Sequence, residues 1–330
     1  MKKSALFLCF VTLFSLCFSL FACGSSGASG LEFVDYSDGK TCYVKSVGSF
    51  QGENLVIPTK SPSGKTVTGI ERLAFKDCDF LKSVTIPKTV KSISYYGIFE
   101  GCSNLESITV DGGNAEYCSV DGILFSKDMT ELIRYPAGKT AESYSVPASV
   151  TLIDDYAFES CASLTKIDIP EGVLSAEGYA FANCTSLTSI FFPNSITEIG
   201  EYAFNGCKKL TSISVGSKNL RYSSKNGVLY NKKAGAIFRC PEGIEGTFSV
   251  PSTVYNVTTC AFYGCTGITE ISLPSGVTNI SQEAFAECTS LETIRFAGTK
   301  EQWNNVTKGF DWDMNTGDYT VRCINGSITK

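Results

Sequence analysis

One phrase constrains this chain more than any other: Phe-x-x-Cys-x-x-Leu-x-x-Ile-x-Ile, with aliphatic exchanges. It is written seven times, from Phe75, Phe99, Phe158, Phe181, Phe204, Phe262 and Phe285. Successive phenylalanines lie 24, 59, 23, 23, 58 and 23 residues apart. A unit of this length is too small to bury its own apolar face and gains stability by stacking on its neighbours. A solenoid is therefore expected, with an extended surface as its main product.

The unit from Asp154 to Pro170 shows the physics. Ile167 and Ile169 alternate with Lys166 and Asp168 before Pro170 ends the run, the period of a strand with one buried face. Phe158, Cys161 and Leu164 fall at three-residue steps, which predicts a short helical or 3-10 turn on the opposite wall. The fold class read here is a leucine-rich-repeat-like solenoid of stacked parallel strands. Its strands end at Ile57, Ile86, Val110, Val146, Ile169, Phe192, Val215, Val250, Leu273 and Phe296. Paired in one continuous sheet, these strands would extend roughly 45 Å.

Two steps between strand ends, of 36 and 35 residues, exceed the rest. They hold related apolar segments, Gly122-Ile-Leu-Phe125 to Tyr135-Pro136 and Gly227-Val-Leu-Tyr230 to Cys240-Pro241. Each reads as a β-hairpin insertion, near 117–136 and 222–241, protruding from one side of the solenoid. Their separation of about 105 residues points to a duplicated larger unit.

The front end is a targeting segment. Met1-Lys2-Lys3 precedes an apolar run from Ala5 to Phe21, then Leu20-Phe21-Ala22-Cys23 and a Gly/Ser stretch from Gly24 to Gly30. The tetrapeptide resembles a lipobox. Residues 1–22 then form a signal peptide, Cys23 carries the lipid, and 23–30 are a flexible tether. An uncleaved anchor is the other reading, although the apolar run is marginal for spanning a bilayer. Residues 31–66 read as an N-terminal cap, 67–297 as the solenoid and 298–330 as a C-terminal cap. Loss of Lys2 and Lys3 moves the net charge from −5 to −7. No basic stripe is present, so no nucleic-acid partner is expected, and the membrane is reached through the lipid anchor alone.

Three of the fifteen cysteines, Cys9, Cys17 and Cys23, belong to the front end. Seven form a ladder of one per coil: Cys78, Cys102, Cys161, Cys184, Cys207, Cys265 and Cys288. Export would favour disulfides. An odd set at one inward position instead reads as free, buried thiols used as small apolar fillers. Cys42, Cys118, Cys240, Cys260 and Cys323 cannot be paired from sequence. The regular 23-residue spacing is no metal framework, so no metal or cofactor is expected.

The unit Ala-Phe-x-x-Cys-x-x-Leu-x-x-Ile-x-Ile-Pro resembles the BspA-like leucine-rich repeat family, the type-5 class of bacterial surface proteins, over about residues 55–297. The Asp-Gly-Ile-Leu-Phe and Asn-Gly-Val-Leu-Tyr segments are similar to hairpins found between repeats in that family. The tail from Gly298 through Trp303 and Trp312 to Cys323 resembles a C-terminal cap of spirochaete members. The resemblance implies a cell-surface adhesin of the outer membrane that binds protein ligands, such as the host matrix proteins fibronectin or fibrinogen, or other bacteria. It transfers no individual binding residue.

Catalysis has little to work with. The chain contains no histidine, which removes every Ser-His-Asp or Cys-His arrangement. Gly64-Lys65-Thr66 and Gly138-Lys139-Thr140 lack the earlier glycine of a phosphate loop. Asp311, Asp313 and Asn315 begin like a calcium loop, but Thr316 and Arg322 stand where glycine and glutamate are needed. The expectation is a non-enzymatic binding protein. Its candidate face is the outward row Lys166, Asp168, Ser189, Phe191, Ser212 and Ser214, in which Phe191 is the one large aromatic. A periplasmic structural or assembly scaffold is the alternative function.

Overall fold

The computed structural model describes residues 29–94 and 96–330. The expected signal segment, the expected lipidation site Cys23 and most of the expected tether lie outside the described residues. A typical coil runs from strand Lys166–Asp168 through a corner at Pro170 to a two-residue strand, Ser175–Ala176. The chain then crosses a wall of turns and re-enters the next coil at strand Ser189–Phe192. Two parallel ladders therefore climb the solenoid. In the main ladder Ser189 faces Ser212 and Phe191 faces Ser214; in the short one Ser175 faces Glu198 and Ala176 faces Ile199. All ten strand-end residues expected from the alternation are buried.

The turn wall keeps the three-residue rhythm but builds no helix. Ala182 N–H bonds the Tyr179 carbonyl at 2.9 Å, Cys184 the Phe181 carbonyl at 3.2 Å, and Leu187 the Cys184 carbonyl at 3.1 Å. These are single turns, interrupted where Tyr179 and Asn183 adopt left-handed φ values of 56° and 57°. Each such residue costs about 1–2 kcal/mol. The interruption turns alternate N–H groups along the solenoid axis. Phe181 N–H thus reaches Ala203 O at 2.9 Å, and Asn183 N–H reaches Asn205 O at 2.6 Å, both one coil ahead. A continuous helix would aim those donors back into its own turn and leave the wall without intercoil bonds. Gly101, Gly206 and Gly264 take the second left-handed position in their coils, with φ near 75°.

The single ten-strand sheet is corrected: the main ladder is three sheets, of three, four and five strands. The insertions cause the breaks. The first is a meander of strands Tyr117–Val120, Ile123–Ser126 and Glu131–Arg134; the second comprises Tyr222–Lys225, Val228–Asn231 and Ala236–Arg239. Both tight turns, Asp121-Gly122 and Asn226-Gly227, have positive φ at both residues, as a two-residue hairpin of this twist requires. Gly122 O accepts from Ile108 N at 2.8 Å and Gly227 O from Ile213 N at 2.7 Å. Each turn thus takes a bond that the next main strand would otherwise make.

The insertions also do not protrude, which corrects the second expectation. Leu124 and Ile133 pack into the N-terminal core, while Ile123, Phe125 and Leu132 pack into the central one. Likewise Leu229 faces the central core, and Val228 and Tyr230 face the C-terminal one. A strand apolar on both faces must be covered on both faces. Each insertion is a partition across the solenoid, and its last strand joins the short ladder, pairing Leu132 with Ile153 and Ile237 with Val257.

The C-terminal segment forms one further coil. Thr307–Lys308 extends the short ladder and Thr320–Cys323 the main one, with the helix Lys300–Asn304 between coils. That helix starts on a Thr299/Gln302 capping box and buries Trp303. Strand Gly326–Thr329 then closes the sheet antiparallel.

Candidate functional site

The six candidate residues stand on three neighbouring strands of the central sheet, Lys166–Asp168, Ser189–Phe192 and Ser212–Val215. Their side chains face outward because the alternate residues Ile167, Ile190 and Ile213 are committed to the core. One rung across the sheet reads Ser145, Asp168, Phe191, Ser214. Phe191 is 53% exposed, between a carboxylate and a hydroxyl. Lys166 Nζ lies 2.8 Å from Asp168 Oδ1, an exposed ion pair that adds well under 1 kcal/mol. Ser214 Oγ donates to Ile190 O at 3.3 Å.

Broken into segments, this face is small. Four strands at about 4.8 Å spacing and three to four residues in length present roughly 200–250 Å². A standard interface covers about 800 Å² per partner. The arrangement offers hydroxyls, one exposed ion pair and one aromatic ring as contacts for another surface. Phe191 is its one large apolar contact.

The ladder thiols are inside and unpaired, as are Cys42, Cys240 and Cys260, while Cys118 and Cys323 are unpaired and half-buried. Where another turn wall directly precedes, the thiol donates to the phenylalanine carbonyl of that coil: Cys102 to Phe75 at 2.9 Å, Cys184 to Phe158 at 3.1 Å, Cys288 to Phe262 at 3.0 Å. Behind an insertion the bond lengthens, to 3.7 Å from Cys161 to Tyr135 O and from Cys265 to Cys240 O. Burial pushes the thiols of Cys102, Cys161 and Cys207 up to about 12, and that of Cys78 to about 11. Among the described residues no three His, Cys, Asp or Glu side chains gather where they could hold a metal. No helix among them is long and apolar enough to cross a membrane.

Several polar residues that organise the molecule are not evident from the repeat. Arg134, 2% exposed, donates through Nη2 to Phe99 O and Glu159 Oε2, each at 3.1 Å, and through Nη1 to Tyr156 O. Its guanidinium joins the wall on one side of the first partition to the wall on the other. Arg239 repeats the arrangement at the second, bonding Cys260 O at 2.6 Å and Glu242 at 2.9 Å. Asn114 and Asn219 each hold two carbonyls of the preceding corner and accept two backbone N–H groups that open the insertion. The signal that could have found them is the 105-residue repetition itself, which returns an arginine inside an apolar run at both insertions.

A family model described as the BspA type leucine rich repeat region matches in six copies, over residues 48–131, 137–245 and 237–307. A leucine-rich repeat protein from Eubacterium ventriosum aligns at 23% identity and a TM-score of 0.53, covering 80% of this chain and 65% of that one. This chain thus spans under two thirds of that protein's length. A leucine-rich cell surface protein from Faecalibacterium prausnitzii aligns at 22% identity and 0.45, over 88% and 99% of the two chains. The pneumococcal vaccine antigen PcpA aligns at 17% identity and 0.45, over 89% and 86%. No curated protein sequence matches the chain.

Proposed function

Because this chain belongs to the BspA-type leucine-rich repeat family, a non-enzymatic repeat fold suited to protein–protein interaction, we propose that it is a lipid-anchored binding protein displayed at the cell surface. In this reading Cys23 carries the anchor, the Gly/Ser stretch holds the solenoid away from the bilayer, and the outer face of the central sheet meets a protein ligand on host matrix or another cell. The observation that carries it is Phe191, a half-exposed aromatic in the middle of a flat, hydroxylated rung. An aromatic at the centre of a polar patch is the usual form of an interface anchor. Because the face is small, the partner must reach past it onto the flanking corners.

Immobilised fibronectin and fibrinogen are the first ligands to test, with the soluble chain beginning at Gly24. Phe191→Ala is expected to weaken binding at least tenfold with the melting curve unchanged. Unaltered affinity in a folded variant removes the anchor. Protease treatment of intact cells tests display. Complete protection would favour a periplasmic scaffold instead.

A further inference from the structure

The other side of the solenoid carries a second feature. Tyrosines at successive positions of the turn wall stack along the axis. Tyr156 and Tyr179 have ring centroids 5.0 Å apart and planes 9° apart; Tyr179 and Tyr202 have 5.1 Å and 5°. Tyr96 meets one end edge-on at 5.4 Å and Tyr263 the other at 6.0 Å. Rings stacked face to face cover each other's faces; Tyr156 is buried, and Tyr179 and Tyr202 are the partly exposed members of the stack. Asp155, Glu177 and Glu201 immediately precede or lie two residues before the tyrosines they flank. None of the three takes part in an ion pair among the described residues, whose exposed carboxylates elsewhere often do.

The column of tyrosines stops at the second partition, where Cys260 occupies the next position. Tyr202 reaches past it, its hydroxyl donating to Glu283 Oε2 at 2.9 Å. A cavity of about 300 Å³ opens at this point, bordered by Glu198, Glu201, Tyr202, Arg221, Phe238 and Cys260. Its volume suits one side chain. Two unpaired carboxylates stand there against one unpaired guanidinium, and the strip adds Asp155 and Glu177.

We propose that this tyrosine–carboxylate strip and the cavity at its end form a second docking site, which takes an arginine- or lysine-bearing segment of a partner protein. Charge sets the choice. Four carboxylates without ion-pair partners face one cation without a partner, Arg221, since the charge of Arg239, which also lines the cavity, is met by Glu242. The hydroxyl edges accept hydrogen bonds that guanidinium and ammonium groups supply. A planar guanidinium can enter the cavity beside Tyr202 and Phe238 and meet Glu198 or Glu201. The site is on a different face from Phe191 and does not depend on the reading given for that residue.

The probe is a fluorescein-labelled Gly-Arg-Gly-Arg-Gly-Arg-Gly peptide, titrated by anisotropy at fixed ionic strength against the soluble chain. Its partner is the same peptide with citrulline, neutral and nearly isosteric, in place of arginine. The arginine peptide is expected to bind at least tenfold more tightly. Glu177→Gln combined with Glu201→Gln should weaken it at least tenfold. The pair Glu106→Gln and Asp111→Asn, with the same charge change away from the strip, should alter it less than twofold. Arg221→Gln should tighten it two- to fivefold, and Phe191→Ala should leave it unchanged. Equal binding of the two peptides, as a neutral ligand such as a glycan would predict, overturns the proposal. So does an equal loss in the distant pair, which would mark diffuse attraction to an acidic protein.

Discussion

Cys207 Sγ donates a 3.0 Å hydrogen bond to the carbonyl oxygen of Phe181, one coil earlier. The phenylalanine N–H reaches the same following coil, in the 2.9 Å bond from Phe181 N to Ala203 O. Both backbone groups of Phe181 are thus bonded to the coil that follows, and the cysteine supplies one of the two links. Alanine would fill part of the same volume and leave the carbonyl only the Cys184 N–H of its own turn, at 3.2 Å, so the intercoil bond is lost at a cost of about 0.5–1.5 kcal/mol. The ladder cysteines are accordingly structural donors as much as fillers.

Thiol chemistry should follow that burial. With Cys207 near 12, about one thiol in ten thousand is ionised at pH 8, and access is closed as well. Titration of the soluble chain with a disulfide reagent should label the half-buried Cys118 and Cys323 first. The seven ladder positions should react only as the protein unfolds. Rapid labelling of Cys184 or Cys207 in the native state would contradict the arrangement.

Arg134 and Glu159 make a strong prediction because neither can be left alone. Arg134→Met alone leaves the Glu159 carboxylate buried and unpaired, and a loss of about 3–5 kcal/mol is expected. Adding Glu159→Gln should recover a large part of it, since the remaining amide needs no counter-charge. Urea unfolding of the two single variants and the double variant measures the coupling. Strict additivity would show that the pair does not act as a unit.

Asp154 should make stability fall as pH rises from about 4 to about 7. It is 5% exposed, its Oδ2 has no hydrogen-bond partner, and burial pushes its carboxyl up to about 7, with Asp155, Glu131 and Glu177 adding repulsion. In the unfolded chain the group titrates near 3.8. Between those values the folded state keeps a proton that the unfolded state has released, so raising the pH favours unfolding until the folded pKa is passed. Asp154→Asn keeps the Oδ1 acceptor for Asp155 N–H. It should flatten the stability profile between about pH 4 and 7. At pH 8 it should add about 1–3 kcal/mol, below the roughly 4 kcal/mol that a three-unit shift represents. An unchanged slope would mean that the carboxyl finds water in solution.

Much of this architecture was legible because the repeat speaks through periodicity. Ile167, Ile190 and Ile213 point inward where alternation placed them, and Phe191 points outward. The insertions were harder. Ile123-Leu124-Phe125 has an apolar residue at every position, which marks a strand covered on both faces, and that pattern separates a partition from a protruding hairpin. The breaks in the main sheet follow from it. Arg134 with Glu159, or Tyr202 with Glu283, join positions 25 and 81 residues apart whose meeting depends on how coils stack across a partition. A single repeat unit carries no trace of that register. The lack of helix in the wall has a similar origin, because Phe, Cys and Leu at three-residue steps fit a run of separate turns as well as a 3-10 segment.

Phe181 and Phe191 test the division between core and surface within ten residues of sequence. Phe181 stacks between Phe158 and Phe204, with centroids 5.6 and 5.5 Å apart, and is fully buried. Its truncation to alanine removes contacts with both adjacent coils, and about 3–5 kcal/mol should be lost. Because each coil is held by its neighbours, the loss should spread. Amide exchange is expected to quicken in the coils around Phe158 and Phe204 while the C-terminal coils beyond the second partition keep their protection. Phe191→Ala exposes no core and should change stability by less than about 0.5 kcal/mol. If Phe181→Ala quickens exchange equally throughout the chain, the partitions do not divide the solenoid into separately packed segments.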